Sequence, residues 1–150
     1  MPRAWESSGS QALETVTMAS KEQEILRKYK AVAVVGLSEN PERPSFRVAS
    51  YLKEHGYRVI PVNPSVKWVL GMLCHPDVTS ITETVEVVDI FRRSDEVGPI
   101  VDQAIHKGAK VIWMQEGIVN EEAAARARQA GLEVVMDHCM LKEHSKMSGE

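Results

Sequence analysis

Only two cysteines occur in the 150 residues, Cys74 and Cys139. They are far apart and form no C-x-x-C pair, so neither a disulfide framework nor a cysteine-based zinc spacing is available. Two reduced thiols in a cytoplasmic protein are the natural reading. No apolar run approaches the length of a membrane span. The opening residues, MPRAWESSGSQALETV, contain no apolar signal core, which argues against secretion. Neither sign of charge is in marked excess. Lys and Arg number 18 and Asp and Glu 21, a net charge of −3 that lacks the basic excess of a general nucleic-acid binder. Internal repeats and low-complexity tracts are also missing.

What is present is ordinary globular material: 43% apolar and 26% charged residues, in a length suited to one domain with a real core. Residues 1–19 show no periodic apolar pattern and read as a flexible extension or a cloning remnant, with Met18 as a possible natural start. The domain proper is 20–150. Ser20 with Gln23 three residues on forms a capping box for a first helix that runs to about residue 30. Short β-branched runs then alternate with helical patterns. Strands are expected over 31–35, 57–62, 85–91, 110–114 and 132–136, and helices over 45–55, 95–107 and 120–130, with a short last helix. Asn120 reads as an N-cap, and Gly56, Gly108 and Gly131 as helix stops. Such alternation implies an α/β fold, a doubly wound five-stranded parallel sheet with helices on both faces. Its ligand crevice lies at the carboxyl ends of the strands, where the winding reverses.

Three segments then share one edge of the sheet. The first is AVAVVGLSENPERPS, residues 31–45: a buried strand, a glycine turn at Gly36, a polar loop and a helix start. Gly36 permits positive φ and close approach of a ligand to the backbone. Ser38 and Ser45 bring hydroxyls, Pro44 suits a first helical turn, and amides at the helix start attract phosphate. The other segments are Val62-Asn63-Pro64 and Phe91-Arg92-Arg93. A nicotinamide dinucleotide is disfavoured twice. The G-x-G-x-x-G turn keeps only Gly36, with Ser38 and Pro41 at the other positions, and no Asp or Glu ends the second strand. No P-loop occurs either. Instead Arg43, Arg47, Arg92 and Arg93 gather around the turn, which suits a ligand with several phosphates. Any one of these arginines is as readily a solvated surface charge; the cluster is read as functional.

The runs GLSENPERPSFRVASYLKEHGYRVIPVNP, VEVVDIFRRSDEV, GAKVIWMQEGIVNEEA and AGLEVVMDHCM resemble the small stand-alone coenzyme A-binding proteins of bacteria and archaea. They are also similar to the coenzyme A-binding domain of the succinyl-CoA synthetase alpha subunit and of related acyl-CoA synthetases. The likeness covers roughly residues 22–146 and implies a Rossmann-like domain. It further implies that Gly36, Leu37, Ser38, Arg43 and Ser45 hold the phosphates, and that Val62, Asn63, Pro64, Phe91, Arg92 and Arg93 flank the nucleotide. Pro44 and Arg47 complete the expected cofactor-binding set, and coenzyme A or acyl-CoA is the expected ligand.

No catalytic constellation accompanies this site. Glu116 is either a general base or, more simply, a helix-capping charge for the helix starting near Asn120. Asp137-His138-Cys139 lacks metal-ligand spacing and reads as helix-start polarity beside a buried thiol, although Cys139 near the crevice is a conceivable partner for the coenzyme A thiol. His55, His75 and His106 read as isolated surface residues. Non-enzymatic binding is therefore expected, with neither a metal nor a catalytic residue. The segment SVKWVLGMLCHPDVT, 65–79, departs from the pattern, because its apolar residues cannot all face inward. Val69 and Leu70 suit a lid over the sheet. Trp68, Met72 and Leu73 divide evenly between that lid and a surface for a protein partner or self-association, natural or introduced.

Overall fold

The structure is a computed structural model that describes residues 20–148; the expectation for residues 1–19 falls outside them. Helix α1 (Lys21–Lys28) opens on Ser20, whose Oγ accepts the Gln23 amide at 3.1 Å. Acidic residues occupy its first turn and basic ones its last, matching the helix dipole. Strand β1 (Ala31–Val35) follows, then α2 (Pro44–Glu54) and β2 (Arg58–Val62). After an excursion that contains two short strands, β3 (Trp68–Val69) and β4 (Met72–Leu73), the chain returns as β5 (Val87–Ile90). A 3₁₀ turn at Ser94–Glu96 leads into α3 (Val97–Lys107). Strand β6 (Val111–Met114), α4 (Glu121–Gln129), β7 (Glu133–Val135) and α5 (Met140–Ser148) complete it.

The main sheet is five-stranded and parallel, in the order β2-β1-β5-β6-β7. Winding runs outward from β1 to β2, then reverses to β5 on the other side of β1. The carboxyl ends of β1 and β5 thus form the switch point of a doubly wound, Rossmann-like sheet. Alternation along each strand feeds two cores. Ala33, Val35, Ile90, Ile112 and Met114 pack beneath α3 and α4. Val32, Val34, Trp113 and Val135 pack with Leu26 of α1, Leu52 of α2 and Met140 of α5. Strands buried on both faces need continuous apolar runs, and AVAVV and VIWM supply them.

Departures from expectation lie at element ends and in one connection. The third sheet strand is shorter than 85–91, although the Phe91 amide still donates to Val35 O at 2.9 Å. The expected helix over 95–107 begins as a 3₁₀ turn, and Pro99, lacking an amide proton, sits harmlessly in the first turn of α3. The hairpin β3–β4 was not foreseen. It turns through Leu70 and Gly71 at φ 53° and 74°, the paired left-handed geometry of a tight hairpin. Leucine rarely takes that conformation, so nothing in the local sequence announces the turn.

Candidate functional site

Gly36 leaves β1 at φ 87°, and its amide donates to Val62 O at 2.8 Å. A Cβ there would stand 3.0 Å from both Phe91 O and Arg92 Cδ, so the residue is glycine for its φ and for its space. Beyond it the loop binds itself. Leu37 turns its side chain fully into the core, and its carbonyl accepts Asn63 Nδ2 at 3.0 Å. The Ser38 amide donates to Ser45 Oγ at 2.9 Å, and Ser38 Oγ accepts the Asn40 amide at 3.0 Å. Asn40 in turn receives the amides of Glu42 and Arg43. The Ser38 amide is thus used internally. What Ser38 and Ser45 retain for a ligand is their hydroxyl hydrogens. Pro44 is at the start of α2, and Arg43 occupies its N-cap position without capping it. Pro44 has no amide hydrogen and the Phe46 and Arg47 amides donate to Arg43 O, so the Ser45 amide and the Arg43 guanidinium are what stay open to an anion.

Two cavities meet at Gly36. One, of about 620 Å³, lies over the loop and is lined by Ser38, Arg43, Pro44, Ser45, Asn63 and Phe91 among others. The other, of about 390 Å³, lies between the ends of β1 and β2 and the start of α3. Val62, Pro64, Val78 and Ile100 wall it, and Asp77, Arg92, Asp95 and Glu96 supply charge. Val78 and Gln103, joined by a 3.0 Å bond from the Val78 amide to Gln103 Oε1, were not singled out in the sequence. They come from a connection and a helix that carry no motif.

Of the expected site residues, three are placed differently. Leu37 offers only backbone. Arg47 is exposed, a turn beyond the start of α2, and lines neither cavity. Arg93 is 76% exposed and lines neither, its guanidinium paired with Asp95 at 3.3 Å and Glu96 at 3.4 Å. Arg92 does line the smaller cavity, with Nε donating to Glu96 Oε1 at 3.0 Å. That bond holds the Glu96 carboxyl below its usual range. The four-arginine cluster is therefore partly neutralised within the chain.

Other expectations change too. Glu116 caps no helix; it pairs with Lys142 at 2.8 Å, while Asn120 Oδ1 caps α4 by accepting the Ala123 amide at 2.9 Å. His138 lies 3.6 Å from Glu22 and 3.5 Å from Glu143, a tie between α1 and α5. Among the described residues no group of His, Cys, Asp and Glu is arranged to hold a metal. His55 is not isolated, since its ring stacks on Tyr51 with centroids 3.9 Å apart. Cys74 and Cys139 are free and partly buried, and burial pushes both thiols up, away from the reactive thiolate. On the hairpin, Val69 is buried and Met72 packs back against the core, whereas the cross-strand partners Trp68 and Leu73 are 57% and 51% exposed. One buried polar pair escaped the sequence entirely. Asp89 of β5 is fully buried and receives a hydrogen bond from Gln115 Nε2, and its Oδ2 has no partner among the described residues. Burial pushes its carboxyl up to about 8, against the opposing pull of the Gln115 bond.

The CoA binding domain family matches the chain over residues 30–145. The chain belongs to that family. The chain is 37% identical over 122 residues to YneT, an uncharacterised protein of Bacillus subtilis (strain 168), covering 81% of this chain and 90% of that one. A solved structure, a hypothetical protein from Pyrococcus horikoshii OT3, superposes with a TM-score of 0.83 at 47% identity, covering 85% of this chain and 90% of that one. The ADP-forming acetate–CoA ligase II of Archaeoglobus fulgidus is 28% identical over 113 residues. That match takes in 73% of this chain but only 17% of the ligase.

Proposed function

We propose that this protein binds coenzyme A or an acyl-CoA in the crevice and carries out no chemistry on it. The observation that supports this most is the pair of cavities meeting at Gly36, at the switch point of a sheet from a coenzyme A-binding family. The larger cavity offers Arg43, the Ser38 and Ser45 hydroxyls and the start of α2 to the diphosphate. The smaller offers the apolar walls of Val62, Pro64 and Val78 to the base and, beside Gly36 where the two cavities meet, Arg92 to the phosphates. Pantetheine would leave along Phe91 and Asn63, which line the larger cavity. A nicotinamide dinucleotide fits less well. Asn63 stands where an acid would take the ribose hydroxyls, and its amide already serves Leu37 O and the Ser65 amide. Neither lining contains a histidine, cysteine or lysine, which favours holding over catalysis. Calorimetric titration with coenzyme A, acetyl-CoA and NAD tests the reading. Saturable binding of the first two is expected, and a response to NAD alone overturns it.

The exposure of Trp68 and Leu73 favours a second reading, a protein-interaction surface on the hairpin used by a partner or a second copy. Met72, partly buried against the core, has less surface to offer to it. If self-association is its use, sedimentation of the full chain shows a dimer that Trp68→Ala weakens; a monomer at every concentration removes the self-association form of the idea.

A further inference from the structure

We propose that Glu96 is a positioning residue for the ligand's phosphates and acts through Arg92; the inference rests on the coenzyme A reading above. The stem of Arg92 lies against Gly36, since a Cβ on that glycine would be 3.0 Å from Arg92 Cδ. Gly36 is also the residue that lines both cavities. Arg92 Nε donates to Glu96 Oε1, whereas Nη1 and Nη2 donate to no acceptor among the described residues. Glu96 is itself fixed. Its amide donates to Arg93 O at 2.8 Å, and its second oxygen is 3.4 Å from Arg93 Nη2.

The same protein contains the contrasting arrangement. Arg58 meets both oxygens of Glu83 through Nε and Nη2, at 2.8 and 2.9 Å, a complete fork that leaves little for anything else. Arg92 is held at Nε alone. A planar guanidinium anchored at Nε keeps its orientation and leaves its terminal groups open to phosphate. Part of the side-chain entropy that binding would otherwise cost is then already lost in the free protein. A carboxylate that merely competed with phosphate would be expected to engage a terminal group as well, as Glu83 engages Nη2 of Arg58. Glu96 also carries a charge that repels phosphate, so its two effects oppose one another. Substitution separates them: Glu96→Gln and Glu96→Ala both remove the charge, but only glutamine keeps an acceptor for Arg92 Nε.

The experiment titrates the full chain with coenzyme A and, separately, with inorganic pyrophosphate, as wild type, Glu96→Gln, Glu96→Ala, Arg92→Ala and the Glu96→Ala/Arg92→Ala double variant. For both ligands Glu96→Gln is expected to bind about fivefold tighter than Glu96→Ala, and Glu96→Ala to add no loss in the Arg92→Ala background. Equal binding by the Gln and Ala variants, or tighter binding by Glu96→Ala than by Glu96→Gln, overturns the proposal and leaves Glu96 as a charge alone. The expected ranking with pyrophosphate but no binding of coenzyme A overturns the coenzyme A reading and not the role of Glu96. Binding of neither ligand by the wild type overturns both. Both side chains are about a third exposed, so the variants are expected to fold, and a thermal melt of each checks this.

Discussion

At the scale of single residues, Asp89 is the group most at odds with its surroundings. It stands in the middle strand of the sheet with one hydrogen bond and one unpartnered oxygen. A carboxylate there is unfavourable, so the folded protein keeps the proton up to about pH 8. In the unfolded chain the same group releases it near about pH 3.9. Between these values the folded state binds one more proton than the unfolded state. Stability therefore falls as pH rises through this window, with a slope from this group of at most about 1.4 kcal/mol per pH unit. Asp89→Asn has no such proton to lose and keeps a carbonyl for Gln115. Thermal unfolding at pH 6 and pH 9 should show the wild type losing stability relative to the variant. Parallel losses in the two proteins would refute it. No sequence pattern marks this aspartate, because its character comes from Val34 and Trp113 on the flanking strands, partners far away in the chain.

Among the elements, strands were legible and their connections were not. Runs such as AVAVV read as buried strands because β-branched residues with no polar alternation suit a sheet covered on both faces. Helix starts at Ser20 and Asn120 were legible because the caps are local, one side chain to an amide three residues on. The arginines misled for the opposite reason. Composition suggested four free cations, and pairing removed Arg93 and half-engaged Arg92, although the spacing from Arg92 to Glu96 is the familiar i,i+4 interval. The start of α2 gives a prediction at this scale. Ser45 is 4% exposed and holds the loop by accepting the Ser38 amide, seven residues earlier. Ser45→Ala leaves that amide without a partner, a cost of about 1–3 kcal/mol. Urea unfolding should show a lower midpoint with an unchanged slope. A midpoint equal to wild type would mean that the loop does not depend on this bond.

For the molecule as a whole, the crevice is where three connections are tied to one sheet, and each edge of the sheet is covered in part. Pro61 removes an outward amide from edge strand β2, and the His75 amide covers its carbonyl at 2.9 Å. At the other edge Lys21 Nζ donates to Val134 O at 2.6 Å. A ligand in the two cavities would touch the loop after β1, the turn after β2 and the exit of β5 together. Any ligand that binds only the folded state stabilises it by mass action, about 2.7 kcal/mol at a hundredfold excess over Kd. For a domain of this size that corresponds to a rise in Tm of roughly 10 °C. Arg43 lines the phosphate cavity and has no ion pair among the described residues, so its loss removes charge from the ligand without disturbing a partner. Truncating it should weaken coenzyme A about tenfold, equivalent to about 1.4 kcal/mol. At the same ligand concentration the Tm rise of Arg43→Ala should therefore be about half that of the wild type, while the two ligand-free proteins melt together. A full shift in the variant would place the phosphates elsewhere. An equal loss from Arg47→Ala, on the exposed face beyond the cavity, would show that long-range charge, not contact at the helix start, governs binding.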